Sequence, residues 1–201
     1  MDGTLIEGES WTAFHAWLGT LEQGRRYAEL YFSGRISYEE WAELDAGLWA
    51  GLPLSSLKRL AERFRLVRGA REVFEALRAA GIKTALLSCG IGLVVRRVAE
   101  ELGADAYLAN ELIVDERGRL TGQVIVNVSL RGKLKALKRL LSQLGARPGE
   151  CFAVGDDESM VPVFRAVGLG IAFNPRGPEV ARAAHVVVRG PDLRAILPYV
   201  L

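Results

Sequence analysis

Ile82-Lys83-Thr84-Ala85-Leu86-Leu87-Ser88-Cys89-Gly90 is the stretch on which the reading of this chain turns. From Ile82 to Leu87 it is short and mostly apolar, in the manner of a strand buried on both faces, and it ends at Ser88. An amphipathic pattern from Arg71 to Ala80 predicts a helix that stops at Gly81 just ahead of it. A second helical pattern runs from Leu93 to Leu102 and ends at Gly103. A buried strand between two helices implies a layered α/β fold.

Downstream the alternation continues. A strand is expected near Tyr107, then a hairpin with arms Glu111–Asp115 and Leu120–Val128 joined through Arg117 and Gly118. Lys133–Leu144 reads as a helix closed by Gly145, and Cys151–Val154 as a buried strand ending in Gly155. Val161–Val167 is helical, with Pro162 tolerated in the first turn. Short strands at Gly170–Phe173 and Val186–Val188 precede a last helix from Asp192 to about Tyr199. The pattern predicts a mainly parallel sheet with helices on both faces, right-handed crossovers, and a ligand at the carboxyl ends of the strands.

Upstream the grammar differs. From Trp11 to about Phe64 apolar residues recur at helical spacing, with breaks at Gly34, Gly51 and Pro53. Ser37 followed by Glu40 reads as a capping box. The expected organisation is a core made of residues 1–9 and 66–201, with a helical cap of residues 10–65 inserted as a separate unit.

Composition narrows the function. Half of the 201 residues are hydrophobic and a quarter are charged, which is globular. The net charge is only +2, and the basic residues lie along helical segments such as Lys58–Arg71 and Lys133–Arg139. Solvated helix faces account for them, and no nucleic-acid partner is expected. The two cysteines, Cys89 and Cys151, are too few for a disulfide framework. Asp2 and Glu7 stand where a basic leader would begin, and no apolar run approaches the roughly 20 residues of a membrane span. A cytoplasmic protein with no membrane partner, monomeric or homodimeric, is expected.

Four short segments fall at strand ends or helix starts: Asp2-Gly3-Thr4-Leu5, Ser88-Cys89-Gly90, Lys133, and Gly155-Asp156-Asp157. Singly each has a plainer reading: a turn, a helix cap, a solvated lysine, another turn. Together they supply what a phosphomonoester needs. Ser88 donates a hydroxyl, and the N–H groups of Cys89 and Gly90 form an anion cradle ahead of a helix. Lys133 brings positive charge, Asp156 holds Mg²⁺ with Asp157 as a further candidate, and Asp2 exchanges a proton with the leaving oxygen.

The order of these segments resembles the haloacid dehalogenase superfamily, in its phosphoserine-phosphatase-like branch. Met1-Asp2-Gly3-Thr4-Leu5 matches all of the first motif after its first Asp, and Ser88-Cys89-Gly90 matches the second. Lys133 matches the third-motif lysine and Val154-Gly155-Asp156 the fourth. Ala109-Asn110-Glu111-Leu112-Ile113-Val114, Leu120-Thr121-Gly122 and Ile171-Ala172-Phe173-Asn174-Pro175 are also similar to this branch. The resemblance implies a three-layer core with a small helical cap. It also implies Mg²⁺-dependent hydrolysis of a small phosphorylated metabolite through an aspartyl-phosphate. Asp2 is then the general acid/base and offers its main-chain carbonyl to Mg²⁺. Ser88 and Lys133 hold phosphate, Asp156 holds the metal, and Glu9 faces a substrate amino group.

The departures are as informative. The resemblance places the attacking Asp, and the apolar strand carrying it, immediately before Met1, which implies a start further upstream. Met160 stands where the fourth motif has a further acid, and Ser159 where it has Asn, which predicts weaker Mg²⁺ binding. The cap stretch Trp41-Ala42-Glu43-Leu44-Asp45 offers acids and no Arg, and an Asp there would repel a substrate carboxylate. The alternative function is a degenerate, non-catalytic family member that binds phosphorylated ligands or a partner protein.

Overall fold

A computed structural model describes residues 1–201. The chain first builds four helices: α1 (Ser10–Trp17), α2 (Leu21–Phe32), α3 (Tyr38–Gly47) and α4 (Leu54–Ala61). The Ser37 capping box forms as expected. Ser37 Oγ accepts from the Glu40 N–H at 3.1 Å, and Glu40 Oε2 accepts from the Ser37 N–H at 2.7 Å. These helices differ from a separate unit in one respect. Phe14, Trp49, Leu57 and Phe64 are buried in the same apolar cluster as Val94, Val98 and Ile171 of the core. Their rings pack face to face and edge to face, Phe14 on Phe64 at 6.0 Å and on Trp49 at 5.9 Å between centroids. So much aromatic area is buried only by lying against the sheet layer.

After α5 (Ala70–Ala79), β1 (Ala85–Ile91) leads into α6 (Gly92–Leu102) and β2 (Ala106–Val114). β2 pairs parallel with β1 and antiparallel with β3 (Leu120–Ile125). It thereby joins what the sequence reads as a strand near Tyr107 and a hairpin arm from Glu111. The second arm stops at Ile125, short of Val128. The N–H groups of Asn127 and Val128 both turn to Asn110 Oδ1, each at 2.9 Å, and leave the ladder.

The second half carries α7 (Lys133–Leu144), β4 (Phe152–Gly155), α8 (Val161–Phe164), β5 (Leu169–Phe173), α9 (Pro178–Ala183), β6 (Val186–Val188) and α10 (Leu197–Val200). β4, β5 and β6 pair in parallel. α9, opened by Gly177-Pro178, was not expected. The last helix is split into a 3₁₀ turn at Leu193–Ile196 and α10.

The strands form two three-stranded sheets, β1-β2-β3 and β4-β5-β6, as a mainly parallel sheet interrupted near its middle would. β1 and β4 are edges that do not pair with each other. Between them lies a cavity of about 1180 Å³ whose walls include Leu86, Leu87, Ala153, Val154 and Leu140. The physical reason is direct: the chain supplies no strand at this place, so the ladder is interrupted.

The C-terminal turn is tied to the loop before α5 by one carboxylate. Asp192 accepts from the Arg194 N–H at 3.0 Å and pairs with Arg68 at 3.1 Å. The Arg194 guanidinium, with this N–H and Arg68, pulls the Asp192 carboxyl down to about 2 from its ordinary 3.8. A depressed folded-state pKa means that the stabilisation is present above about pH 4 and is lost as the pH falls through 2. The urea midpoint is therefore expected to fall more steeply between pH 4 and pH 2 in the parent chain than in Asp192→Asn. Equal slopes in the two proteins would contradict this role.

Candidate active site

The expected site residues meet at one end of the cavity, where β1 and β4 reach their carboxyl ends. The Asp2 corner is built by the main chain. Met1 O accepts the N–H groups of Thr4 at 3.1 Å and Leu5 at 2.7 Å. Gly3 sits at φ +71, a conformation that suits a residue without Cβ, and an added Cβ would overlap Asp156 Oδ2 and Arg176 Nη2. Asp2 Oδ2 accepts from the Ser10 N–H at 3.0 Å and the Ser10 hydroxyl at 2.8 Å, while Oδ1 is buried with no partner. Burial pushes the Asp2 carboxyl up, against the opposing pull of the Met1 amine and of Ser10. A carboxyl that keeps its proton more readily suits an acid that must deliver one.

The Ser88 loop is clamped from several sides. The Cys89 carbonyl accepts from Trp11 Nε1 at 3.1 Å, from the Tyr38 hydroxyl at 3.2 Å and from Asn110 Nδ2 at 2.9 Å. Gly90 has no room for a side chain, since a Cβ would lie 2.6 Å from Ser10 Oγ and 3.0 Å from Asp2 Oδ2. Its N–H is not free for an anion as expected but donates to Ser88 Oγ at 3.0 Å. That contact orients the Ser88 oxygen and leaves its own proton to donate. Burial pushes the Cys89 thiol up, so it stays protonated.

Lys133 opens α7 and is buried, with its ammonium on the cavity wall. Asp157 is its counter-ion at 3.9 Å. The Asp157 carboxylate also accepts the Ser159 N–H at 3.0 Å and the Ser159 hydroxyl. Burial works against its charge, but Lys133 and Ser159 outweigh it and hold the carboxyl low. Asp157 is thus engaged with Lys133 and Ser159.

Asp156 is buried at the end of β4. Its Oδ1 accepts from the Thr4 hydroxyl at 2.6 Å and its Oδ2 from Arg176 Nε at 2.7 Å. Arg176 Nη1 reaches Glu9 Oε1, so Glu9 stands at the site paired with a guanidinium. Met160 is buried against Gly155, where a Cβ would lie 2.5 Å from its Cγ, and adds no oxygen. No group of three or more acidic, histidine or cysteine side chains converges here. A pared-down Mg²⁺ site still fits the donors present. Asp156 offers a carboxylate, and the Asp2 main-chain carbonyl beside it accepts no main-chain hydrogen bond. Mg²⁺ is commonly held by one or two carboxylates, with water and phosphate completing the octahedron.

Several of these contacts were missed by the sequence reading: Ser10, Thr4, Trp11, Tyr38, Asn110 and Arg176. Thr4 lies inside a quoted motif, but nothing in its spacing points to Asp156. Asp45 is a further case. Its Oδ1 lies 3.2 Å from Nε2 of buried His15 inside the cap, a partner that the sequence does not show.

The family model for haloacid dehalogenase-like hydrolase matches residues 1–165. Phosphoserine phosphatase of Streptomyces coelicolor is 32% identical over 98% of this chain and 48% of its own length. That of Methanocaldococcus jannaschii is 28% identical over 99% of this chain and 94% of its own. That of Idiomarina loihiensis is 32% identical over 98% of this chain and 89% of its own. The chain spans about half the length of several curated relatives it matches, 48% to 51% for those of S. coelicolor, Archaeoglobus fulgidus and Mycobacterium tuberculosis. A substrate-bound phosphoserine phosphatase complex superposes with a TM-score of 0.83 at 28% identity, covering 99% of this chain and 94% of that one. A phospho-aspartyl intermediate analogue of phosphoserine phosphatase gives 0.82 at 28% identity, covering 99% and 95%.

Proposed function

The chain belongs to the haloacid dehalogenase-like hydrolases, and on that premise we propose that it forms the catalytic unit of a Mg²⁺-dependent phosphomonoester hydrolase. The observation that carries this is the meeting of Asp2, Ser88, Lys133 and Asp156 at one cavity end. Its substrate is a small phosphorylated metabolite, phosphoserine or a relative. The likeness to phosphoserine phosphatases, one of them solved as a phospho-aspartyl analogue, supports an aspartyl-phosphate route.

In this reading Lys133 neutralises the phosphate, and the Ser88 hydroxyl, aimed by the Gly90 N–H, donates to one of its oxygens. Asp2 gives its proton to the leaving oxygen as the P–O bond breaks, then takes one from the water that cleaves the acyl phosphate. The attacking carboxylate of this route is not among these residues, and the space between β1 and β4 has room for one further parallel strand to carry it. Mg²⁺, when bound, neutralises phosphate charge; Asp156 and the Asp2 carbonyl hold it. Glu9 meets the substrate amino group. The two free cysteines go with a reducing, cytoplasmic setting, and no helix is long and apolar enough to cross a membrane. The protein acts as a monomer or homodimer, with no nucleic-acid partner.

A second reading, a phosphate-binding protein without turnover, draws on Met160 and on an Asp156 whose two oxygens are both engaged. One experiment separates them. The chain as it stands, and the same chain preceded by an apolar strand ending in Asp, are assayed on a generic aryl phosphate with and without Mg²⁺. Turnover is expected only with the added strand and Mg²⁺. No turnover in either protein, with phosphate still raising the melting temperature, would move the assignment to the binding protein.

A further inference from the structure

Arg176 is the one side chain that touches both Asp156 and Glu9, and no motif assigns it a task. Its Nε donates to Asp156 Oδ2 at 2.7 Å and its Nη1 to Glu9 Oε1, while its other terminal nitrogen lies over the bare Cα of Gly3. Its main-chain N–H donates to the Asp156 carbonyl at 2.8 Å, so the loop after β5 is held where the guanidinium must reach. Asp156 is 6% exposed at its side chain, whereas Glu9 is 48% exposed and Arg176 45%. One arm of the fork therefore grips a buried carboxylate and the other a half-solvated one.

We propose that Arg176 is a resident counter-ion of the metal site, seated on Asp156 until a divalent cation displaces it toward Glu9. The inference rests on the reading of Asp156 as a metal ligand. Thr4 takes one lone pair of Asp156 Oδ1 and Arg176 one of Oδ2, so a cation arriving at this carboxylate meets the guanidinium as its immediate neighbour. A divalent cation and a guanidinium on one carboxylate repel each other strongly in a half-buried site. Glu9 gives the displaced guanidinium a second seat without a full swing into solvent. Arg176 also keeps buried Asp156 paired while the metal is away, which an unpaired carboxylate could not sustain cheaply. Met160 in place of an acid and Arg176 on Asp156 thus act in the same direction, toward weak metal binding.

The test is direct metal binding to the chain as it exists, with free Mn²⁺ counted by EPR, so that no turnover is needed. Arg176→Gln is expected to tighten Mn²⁺ binding about tenfold or more. Arg176→Lys, which keeps the charge, is expected to stay within about threefold of the parent. Asp156→Asn should remove this binding in both backgrounds. On the unsubstituted chain, the NMR signal of the Arg176 Nε–H should shift as diamagnetic Mg²⁺ is added. A role as a mere staple predicts the reverse pattern: Arg176→Gln lowers the melting temperature and leaves Mn²⁺ affinity unchanged or weaker. That result, or an Arg176 signal indifferent to saturating Mg²⁺, overturns the proposal while leaving Asp156 as a ligand. Binding that survives Asp156→Asn overturns the metal assignment itself.

Discussion

Five apolar, β-branched residues and an Asp placed ahead of Met1 raise the melting temperature by roughly 10–20 °C. The estimate comes from the space between β1 and β4. A strand there is buried on both faces, and each apolar side chain contributes about 1.5–3 kcal/mol. Ordering each residue costs about 1–2 kcal/mol of backbone entropy. Ladder bonds on two edges add about 1 kcal/mol each, so a net gain of about 5 kcal/mol is reasonable, and at this chain length each kcal/mol moves the transition by about 2–4 °C. A further contribution comes from Met1, whose buried amine is pushed down by desolvation and by Lys133. In the extended protein that amine becomes a neutral peptide group. Calorimetric melts check the result against a control strand with Lys at its middle position. Equal melting temperatures for the apolar and Lys-containing versions would show that the strand does not occupy the cavity.

The second large effect is at Lys133. Its ammonium is buried at the start of α7 and faces Asp157 at 3.9 Å, so it enters the site already desolvated and oriented. A preorganised, buried cation is worth far more to a phosphate dianion than a surface lysine. Lys133→Met is expected to weaken inorganic phosphate binding about 100-fold and, in the strand-extended protein, to lower turnover about 1000-fold. It also leaves Asp157 facing the phosphate without its cation, which compounds the loss. Lys133→Arg should recover only part of the loss, because a planar guanidinium sets its donors in a different geometry from a compact ammonium. Calorimetric titration with phosphate checks the first figure. Binding within about threefold of the parent would remove Lys133 from the phosphate site.

Residues whose local and tertiary demands coincide were legible in the sequence. The helix Lys133–Leu144 and the strand Val186–Val188 have the expected bounds, because apolar period and closing glycine agree with the packing. The capping box at Ser37 is local chemistry and is satisfied within four residues. Asp2, Ser88, Lys133 and Asp156 stand out in the sequence as expected strand ends and helix starts, and of these Lys133 opens α7 and Asp156 follows β4, whereas Ser88 lies inside β1. What was not legible depends on partners far away in the chain. β2 looks broken because half of it answers β1 and half β3, and no periodicity records that change of partner. Asn110 reads as a strand polar residue, yet its amide organises Cys89, Asn127 and Val128 from a buried position. Arg176, between a proline and a glycine, has the signature of an exposed loop, and its two partners lie 20 and 167 residues away.

The aromatic cluster under the cap limits how the site opens. Phe14, Trp49 and Phe64 lie in the same buried mass as the helices and strands of the core, so the foot of the cap cannot lift without tearing that mass apart. The second group of rings, Tyr31 stacked on Trp41 at 4.9 Å with Phe32 and Tyr38 beside them, lies outside it on α2 and α3. The inner rings thus tie the foot of the cap to the core, and the outer rings join α2 to α3 apart from it, a visor on a fixed brow.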